Sequence, residues 1–259
     1  MNGNDWHLSA VHFLLPKAGL LSSECEDAIA LCHRQMRYCV ADGATEAFDS
    51  RRWAKLLTKC WAAHTLLLTS EEFEPWLVKL GSHLEQRWSR RTLPWYAEEK
   101  ARGGAFAAFA GVAFIPSENR LVWQAVALGD SCLVQLRDNA IVEAMPLSEP
   151  EAFGYHPTLI PSNRLRQQGI GEQFTVAAGI ATQHDTFLLL TDAIAAWYLR
   201  MSSEDPLRVH ELAHLLDESN SQGFAQFVAR ERDDRSLRND DIAVVRITVD
   251  ASPSGRKAE

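Results

Sequence analysis

The sequence has no CxxC pair and no cysteine–histidine cluster at zinc-binding spacing. Its five cysteines (Cys25, Cys32, Cys39, Cys60 and Cys132) are odd in number and scattered, which argues against a disulfide framework and a thiolate-built zinc site. They are expected to be reduced, mostly buried thiols of a cytosolic protein. No apolar run reaches the ~18 residues of a membrane span. The first fifteen residues carry Asp5, two histidines and a short apolar run, without the basic start and long apolar core of a signal peptide. Positive charge is in deficit. Lys and Arg number 26 against 34 Asp and Glu, and the formal net charge of -8 argues against nucleic acid or an anionic membrane as the main partner. There is no internal repeat and no linker dividing two cores. A hydrophobic fraction of 46% is ample for a sizeable core. Residues 1–250 are therefore expected to form one domain, with a polar, disordered tail over 251–259.

The informative stretch is Tyr38-Cys39-Val40-Ala41-Asp42-Gly43-Ala44-Thr45. A mostly apolar run of strand formers stops at Asp-Gly, which sets a carboxylate at a strand end and lets the backbone turn just after it. Residues 28–32 and 36–41 read as two strands joined by His33-Arg34-Gln35. In such a hairpin Glu26-Asp27 and Asp42 fall at the same edge, so carboxylates distant in sequence can converge.

Residues 6–15 read as an earlier strand. Trp53, Leu56, Leu57, Cys60, Trp61, His64, Leu67 and Leu68 have the spacing of a helix face, capped by Asp49 or Ser50. Ser70-Glu71 opens a second helix with Phe73, Trp76, Leu77, Leu80, Leu84 and Trp88 on one side, and 94–100 predicts a short third. After Gly103-Gly104, strands over 105–115, 121–128, 132–136 and 140–144 read as an antiparallel meander, interrupted by Gly129-Asp130-Ser131. Residues 146–172, with four prolines, read as a long loop of the kind that forms lids or is disordered. A short strand over 172–177, an apolar strand over 185–191 ending at Asp192, helices near 206–217 and 222–231, and a closing strand over 242–247 behind Asp240-Asp241 complete the chain.

Acidic residues thus recur at strand ends: Glu26-Asp27, Asp42, Asp130, Asp192 and Asp240-Asp241. Carboxylates held together repel one another and call for a cation. All-oxygen ligands favour Mg²⁺ or Mn²⁺, with a backbone carbonyl such as that of Gly43 able to join them. Two such ions can acidify a water and aim it at a phosphoryl group. A competing motif is His210-Glu211-Leu212-Ala213-His214, an HExxH on a predicted helix, which in a zinc protease would bind zinc through its histidines, with Glu231 a conceivable third ligand. Its apolar face, formed by Val209, Leu212, Ala213 and Leu216, marks the helix as an ordinary packing element.

The order Glu26-Asp27, Asp42-Gly43, Gly129-Asp130-Ser131, Thr191-Asp192 and Asp240-Asp241 resembles the metal-dependent protein phosphatases of type 2C, as a divergent bacterial-type branch, over about residues 19–248. The resemblance implies an α+β fold, a four-layer α/β/β/α sandwich with two central antiparallel sheets. It implies that Asp42 bridges two Mn²⁺ or Mg²⁺ ions and that Gly43 lends its carbonyl. Glu26 or Asp27 would ligate or hold metal water, and Asp192 with Asp240 or Asp241 would complete the first site. Asp130 would hold a looser third ion. Asp42 and Asp192 would be the catalytic carboxylates, a metal-bridging hydroxide would attack phosphorus in line, and phosphoproteins made by a serine/threonine kinase would be the substrates. Four positions depart from the pattern. Ser22 stands where many members carry a phosphate-gripping Arg, Ala44 follows the Asp-Gly, Ala193 follows Asp192 where the family has Gly, and Ala196 stands where a further Asp is common. Arg34, Arg37 and Arg51 are the candidate replacements for the grip. The alternative implied by these departures is a weak or inactive pseudophosphatase acting as a metal-binding regulatory module.

Overall fold

The computed structural model describes residues 6–63, 69–90, 95–117, 120–154 and 156–250. His64, Leu67, Leu68, Pro94 and the 251–259 tail lie outside the described residues. The strands are β1 (His7–Leu15), β2 (Ala28–Cys32), β3 (Arg37–Gly43), β4 (Phe106–Ser117), β5 (Arg120–Leu128), β6 (Cys132–Arg137), β7 (Ala140–Met145), β8 (Ile160–Pro161), β9 (Thr175–Ala181), β10 (Thr186–Leu190) and β11 (Ile242–Asp250). The helices are α1 (Ser50–Ala63), α2 (Ser70–Ser89), α3 (Trp95–Gly103), α4 (Asp192–Glu204), α5 (Pro206–Asp217) and α6 (Ser221–Asp233).

Side-chain alternation sorts these elements into layers. In β3, Cys39 and Ala41 pack with Trp53, Leu57 and Trp61 of α1 and Phe73 and Leu77 of α2. Tyr38 and Val40 point the other way, into a core shared with Phe187, Leu189, Val245 and Ile247 of the opposite sheet. In β11, Ile242 and Val244 pack with Ile194, Trp197, Phe224 and Phe227 of the second helical layer, while Ala243 and Val245 face the inter-sheet core. Both sheets are antiparallel, ordered β2-β3-β4-β5-β9 and β1-β11-β10-β6-β7, with β8 added to β4. The four-layer α/β/β/α sandwich is therefore the observed architecture. All five cysteines are free. Among the described residues no helix is long and apolar enough to cross a membrane.

Three elements differ from the expectation. The meander is two hairpins in different sheets: β4 pairs with β5, β6 pairs with β7, and Gly129-Asp130-Ser131 carries the chain across. Asp192 opens a helix, α4, that the sequence did not signal. Ala193, Ile194, Ala195, Trp197, Tyr198 and Leu199 are all buried, so the apolar run of β10 continues into the helix, and its polar residues Arg200, Ser202, Ser203 and Glu204 come only in the last turns. The strand expected at 172–177 begins instead at Thr175, because the segment after Gly169, with φ at +73°, first makes the 3₁₀ turn Ile170–Gln173.

The 146–172 excursion is tied to the first sheet and its helices by polar hooks. Trp53 Nε1 donates to the Ile160 carbonyl at 2.9 Å, and Gln167 Nε2 to the Leu77 carbonyl of α2 at 3.2 Å. Ser162 Oγ accepts from the Ala105 amide at 2.8 Å.

At the far end of β10, Asp185 is only 1% exposed. Its carboxylate accepts from Arg137 Nε (2.9 Å), Gln135 Nε2 (2.9 Å), the Thr182 amide (2.9 Å) and the Thr182 hydroxyl (2.9 Å). Burial pushes this carboxyl up, but Arg137, Thr182 and Gln135 together hold it below the usual range. Removing it strands several buried donors, so Asp185→Ala is expected to lower the Tm by about 5–10 °C at pH 7. Because the folded-state pKa is depressed, this stabilisation is present above the unfolded value of 3.8 and lost as pH falls through the folded one. Thermal melts of both proteins from pH 7 to pH 3 should therefore converge at the acid end.

Candidate metal centre

The site forms at the seam between the two sheets. In the first, Ala28 pairs with Ala41, which sets Asp27 beside Asp42 on the neighbouring strand. In the second, Cys132 pairs with Leu190 and Leu190 with Val244, so Asp130, Asp192 and Asp240 sit just beyond the same sheet edge. Carboxylate oxygens of Asp42, Asp130 and Asp192 lie within 4.8 Å of one another. Together with Asp240, Gly43 and Arg238 these residues line a cleft of about 310 Å³.

Two glycines make the approach possible. A Cβ on Gly43 would stand 2.9 Å from the carbonyl oxygens of Glu26 and Ser50, so no side chain fits between the two backbones. Gly129 has φ at +98°, and a Cβ there would come within 2.6 Å of the Ala108 Cβ. Ala108 is the β4 partner of Asp42, so Gly129 lets the turn carrying Asp130 abut the strand pair carrying Asp42.

The electrostatics are those of a site short of positive charge. Burial, then the charges of Asp130 and Asp240, push the Asp42 carboxyl up to about 7. Asp27 is 1% exposed and is raised by burial and by Asp42, with the Thr191 hydroxyl acting in the other direction. Neither of its oxygens makes a hydrogen bond of good geometry. Asp130 and Glu26 are also raised, chiefly by burial. Asp192 sits in the first turn of α4, where the helix dipole favours its charge, and its Oδ1 accepts the Ala193 amide at 2.5 Å. Compensation from the chain is limited. Arg238 pairs with Asp192 and lies 3.4 Å from Asp240, and Lys17 lies 3.0 Å from Asp240. Converging carboxylates, all-oxygen donors and a buried, under-bonded Asp27 fit a hard divalent ion.

The two carboxylates of the Asp240-Asp241 dipeptide have different surroundings. Asp241 accepts the Lys17 amide at 2.7 Å and the Glu26 amide at 2.8 Å, so its carboxylate ties the N-terminal segment to the start of β11, while Asp240 lines the cleft. Glu26 is partly exposed and stands outside the cleft lining. Of the arginines considered for a phosphate grip, none lines the cleft. Arg34 and Arg37 are at the opposite end of the β2–β3 hairpin, where Arg37 is buried, stacks 4.0 Å over Trp61 and donates to its carbonyl. Arg51 belongs to the first turn of α1, and Ser22 is exposed. The arginine at the site is Arg238, two residues before Asp240, and that proximity was the available signal.

The HExxH residues do not converge. Arg230 holds Glu211 through bonds of 3.0 and 2.7 Å, and His214 is exposed beside Glu218 at 3.5 Å. Glu231 is fully buried, bound by Trp197 Nε1 (3.0 Å), Ser236 Oγ (2.6 Å) and Arg208 (2.9 Å). Among the described residues, Asp42, Asp130 and Asp192 are the group whose ligand atoms converge.

The family described as protein phosphatase 2C matches residues 22–234. No curated protein sequence matches the chain. Among solved structures, the catalytic domain of the serine/threonine protein phosphatase PstP, in complex with two manganese ions, is 15% identical with a TM-score of 0.60, covering 94% of this chain and 98% of that one. The serine/threonine phosphatase Stp1 from Staphylococcus aureus is 14% identical with a TM-score of 0.61, covering 95% and 96%. PppA, a regulatory component of the type VI secretion system in Pseudomonas aeruginosa, is 16% identical with a TM-score of 0.54, covering 96% and 100%. At these identities the likeness is one of fold.

Because the folded-state pKa of Asp42 is raised, its contribution to stability is present below the unfolded value of 3.8 and lost as pH rises through about 7. Chelator-treated protein should therefore melt several degrees higher as Asp42→Asn than as wild type at pH 8, with the gap closing toward pH 5. Millimolar Mn²⁺ should reverse the order at pH 8 by stabilising the wild type alone. Differential scanning fluorimetry across this pH range checks both signs.

Proposed function

The chain belongs to the protein phosphatase 2C family, and from that premise we propose that it is a Mn²⁺- or Mg²⁺-dependent phosphatase acting on phosphoserine and phosphothreonine in proteins. The observation that carries the reading is the convergence of Asp42, Asp130, Asp192 and Asp240 at one cleft from separate points in the chain.

Asp42, Asp192 and Asp240, with the Gly43 carbonyl, would hold two ions, and Asp130 a third more loosely. Asp27 and Glu26 would order the water around them. The two manganese ions in the PstP structure support a two-ion assignment. Such ions supply Lewis-acid charge to the phosphoryl oxygens and an acidified water as nucleophile. The chain's own residues do the rest. Unloaded, the four carboxylates repel a phosphomonoester dianion, so the cleft favours metal before substrate. Asp241 fixes the backbone at Lys17 and Glu26, which holds the rim of the site against β11. A volume of about 310 Å³ suits a phosphorylated side chain better than a large cofactor. Free cysteines and a net charge of -8 support a cytosolic enzyme that opposes a serine/threonine kinase, with neither nucleic acid nor membrane as partner.

A second reading, a metal-binding regulatory module with little turnover, draws on Ser22, Ala44 and Ala196, the departures from the pattern that the family resemblance implies. Hydrolysis of p-nitrophenyl phosphate separates the two. Metal-stripped protein should be inactive, Mn²⁺ should restore turnover, and Asp192→Asn should reduce it by about 10³-fold or more. Turnover that persists without metal, or in the variant, contradicts the phosphatase assignment. Mn²⁺ that raises the Tm without producing turnover selects the regulatory module.

A further inference from the structure

Among the described residues, Arg238 is the cation that lines the cleft, and it sits on the carboxylates that a metal would need. Its guanidinium pairs with Asp192 and lies 3.4 Å from Asp240 Oδ2. The backbone around it is fixed. Leu237 is buried with the α4–α6 helices and its amide donates to the Glu231 carbonyl at 2.9 Å. Asn239 Oδ1 accepts the Ala18 amide at 2.8 Å. The side chain itself is 49% exposed, so a long arm projects from an anchored stem at the cleft rim.

Cations compete for the same oxygens. A divalent ion on Asp192 and Asp240 removes both partners of Arg238 and repels its charge. The freed guanidinium then stands at the cleft that the phosphoryl group must enter, and its planar fork matches phosphate oxygens. Lys17, the other nearby cation, is held by the Thr45 hydroxyl at 2.8 Å and by Asp240, and it does not line the cleft.

We propose that Arg238 is an exchangeable cation: it neutralises Asp192 and Asp240 when the site holds no metal, and it grips the substrate phosphoryl group once divalent ions take those carboxylates. The proposal rests on the metal-phosphatase reading above.

Isothermal titration of wild type, Arg238→Gln and Arg238→Lys tests it, first with Mn²⁺ alone and then with inorganic phosphate added to the Mn²⁺-loaded proteins. Removing the competing cation should tighten Mn²⁺ binding in Arg238→Gln by about threefold or more. Losing a charged hydrogen-bond donor should weaken its phosphate binding by about 10- to 100-fold and raise KM for p-nitrophenyl phosphate more than it lowers kcat. Arg238→Lys should recover part of the phosphate affinity, since it keeps the charge without the fork. Phosphate affinity in Arg238→Gln within about twofold of wild type overturns the proposal, as does unchanged or weaker Mn²⁺ binding. A wild-type protein that takes up no Mn²⁺ instead contradicts the metal-site reading, and the exchange falls with it.

Discussion

Mutual repulsion among buried and half-buried carboxylates is the constraint around which this molecule is organised. Asp27, Asp42, Asp130, Asp192 and Asp240 come together at one seam, and several are driven toward their protonated forms by burial and by one another. Such a cluster persists only if the surrounding structure holds it against its own charge. Here both flanking sheets are packed on two faces, so the strand ends cannot relax apart without opening an apolar core. The same repulsion gives the site its affinity for cations and makes the chain without metal less stable than it need be.

Aspartates of this one chain play opposite roles, and the donors within reach decide which. Asp185 and Asp241 are as buried as Asp27, yet each is surrounded by N–H or O–H groups that use up its oxygens. They are structural clamps, one at the β9–β10 turn and one between the N-terminal segment and β11. Asp27 and Asp42 have like charge for company. Burial alone therefore does not decide how a carboxylate behaves; the donors within reach do.

Much of this was legible before the structure. The Asp42-Gly43 strand end and its hairpin with 28–32 are local features, and the acidic residues fell at strand ends because strands and turns carry strong punctuation. What escaped the sequence was set by distance and burial. Helix α4 opens with a buried apolar run and turns polar only in its last turns, so it reads as a continuation of the strand before it. The turn at Gly129-Asp130-Ser131 reads as a hairpin because nothing local says that its strands belong to different sheets. Asp240 and Asp241 are distinguished only by the amides of Lys17 and Glu26, which are more than 200 residues away in sequence. Arg238 stands two residues from Asp240, a local signal, but its pairing with Asp192 across the helical layer is a tertiary fact.

The central claim is that the carboxylate seam binds divalent metal. Crystals grown with Mn²⁺ and measured for anomalous scattering near the manganese edge test it most directly. The account predicts strong anomalous peaks in the cleft among Asp42, Asp192 and Asp240. An empty cleft at millimolar Mn²⁺, or peaks confined to His210 and His214, would contradict it.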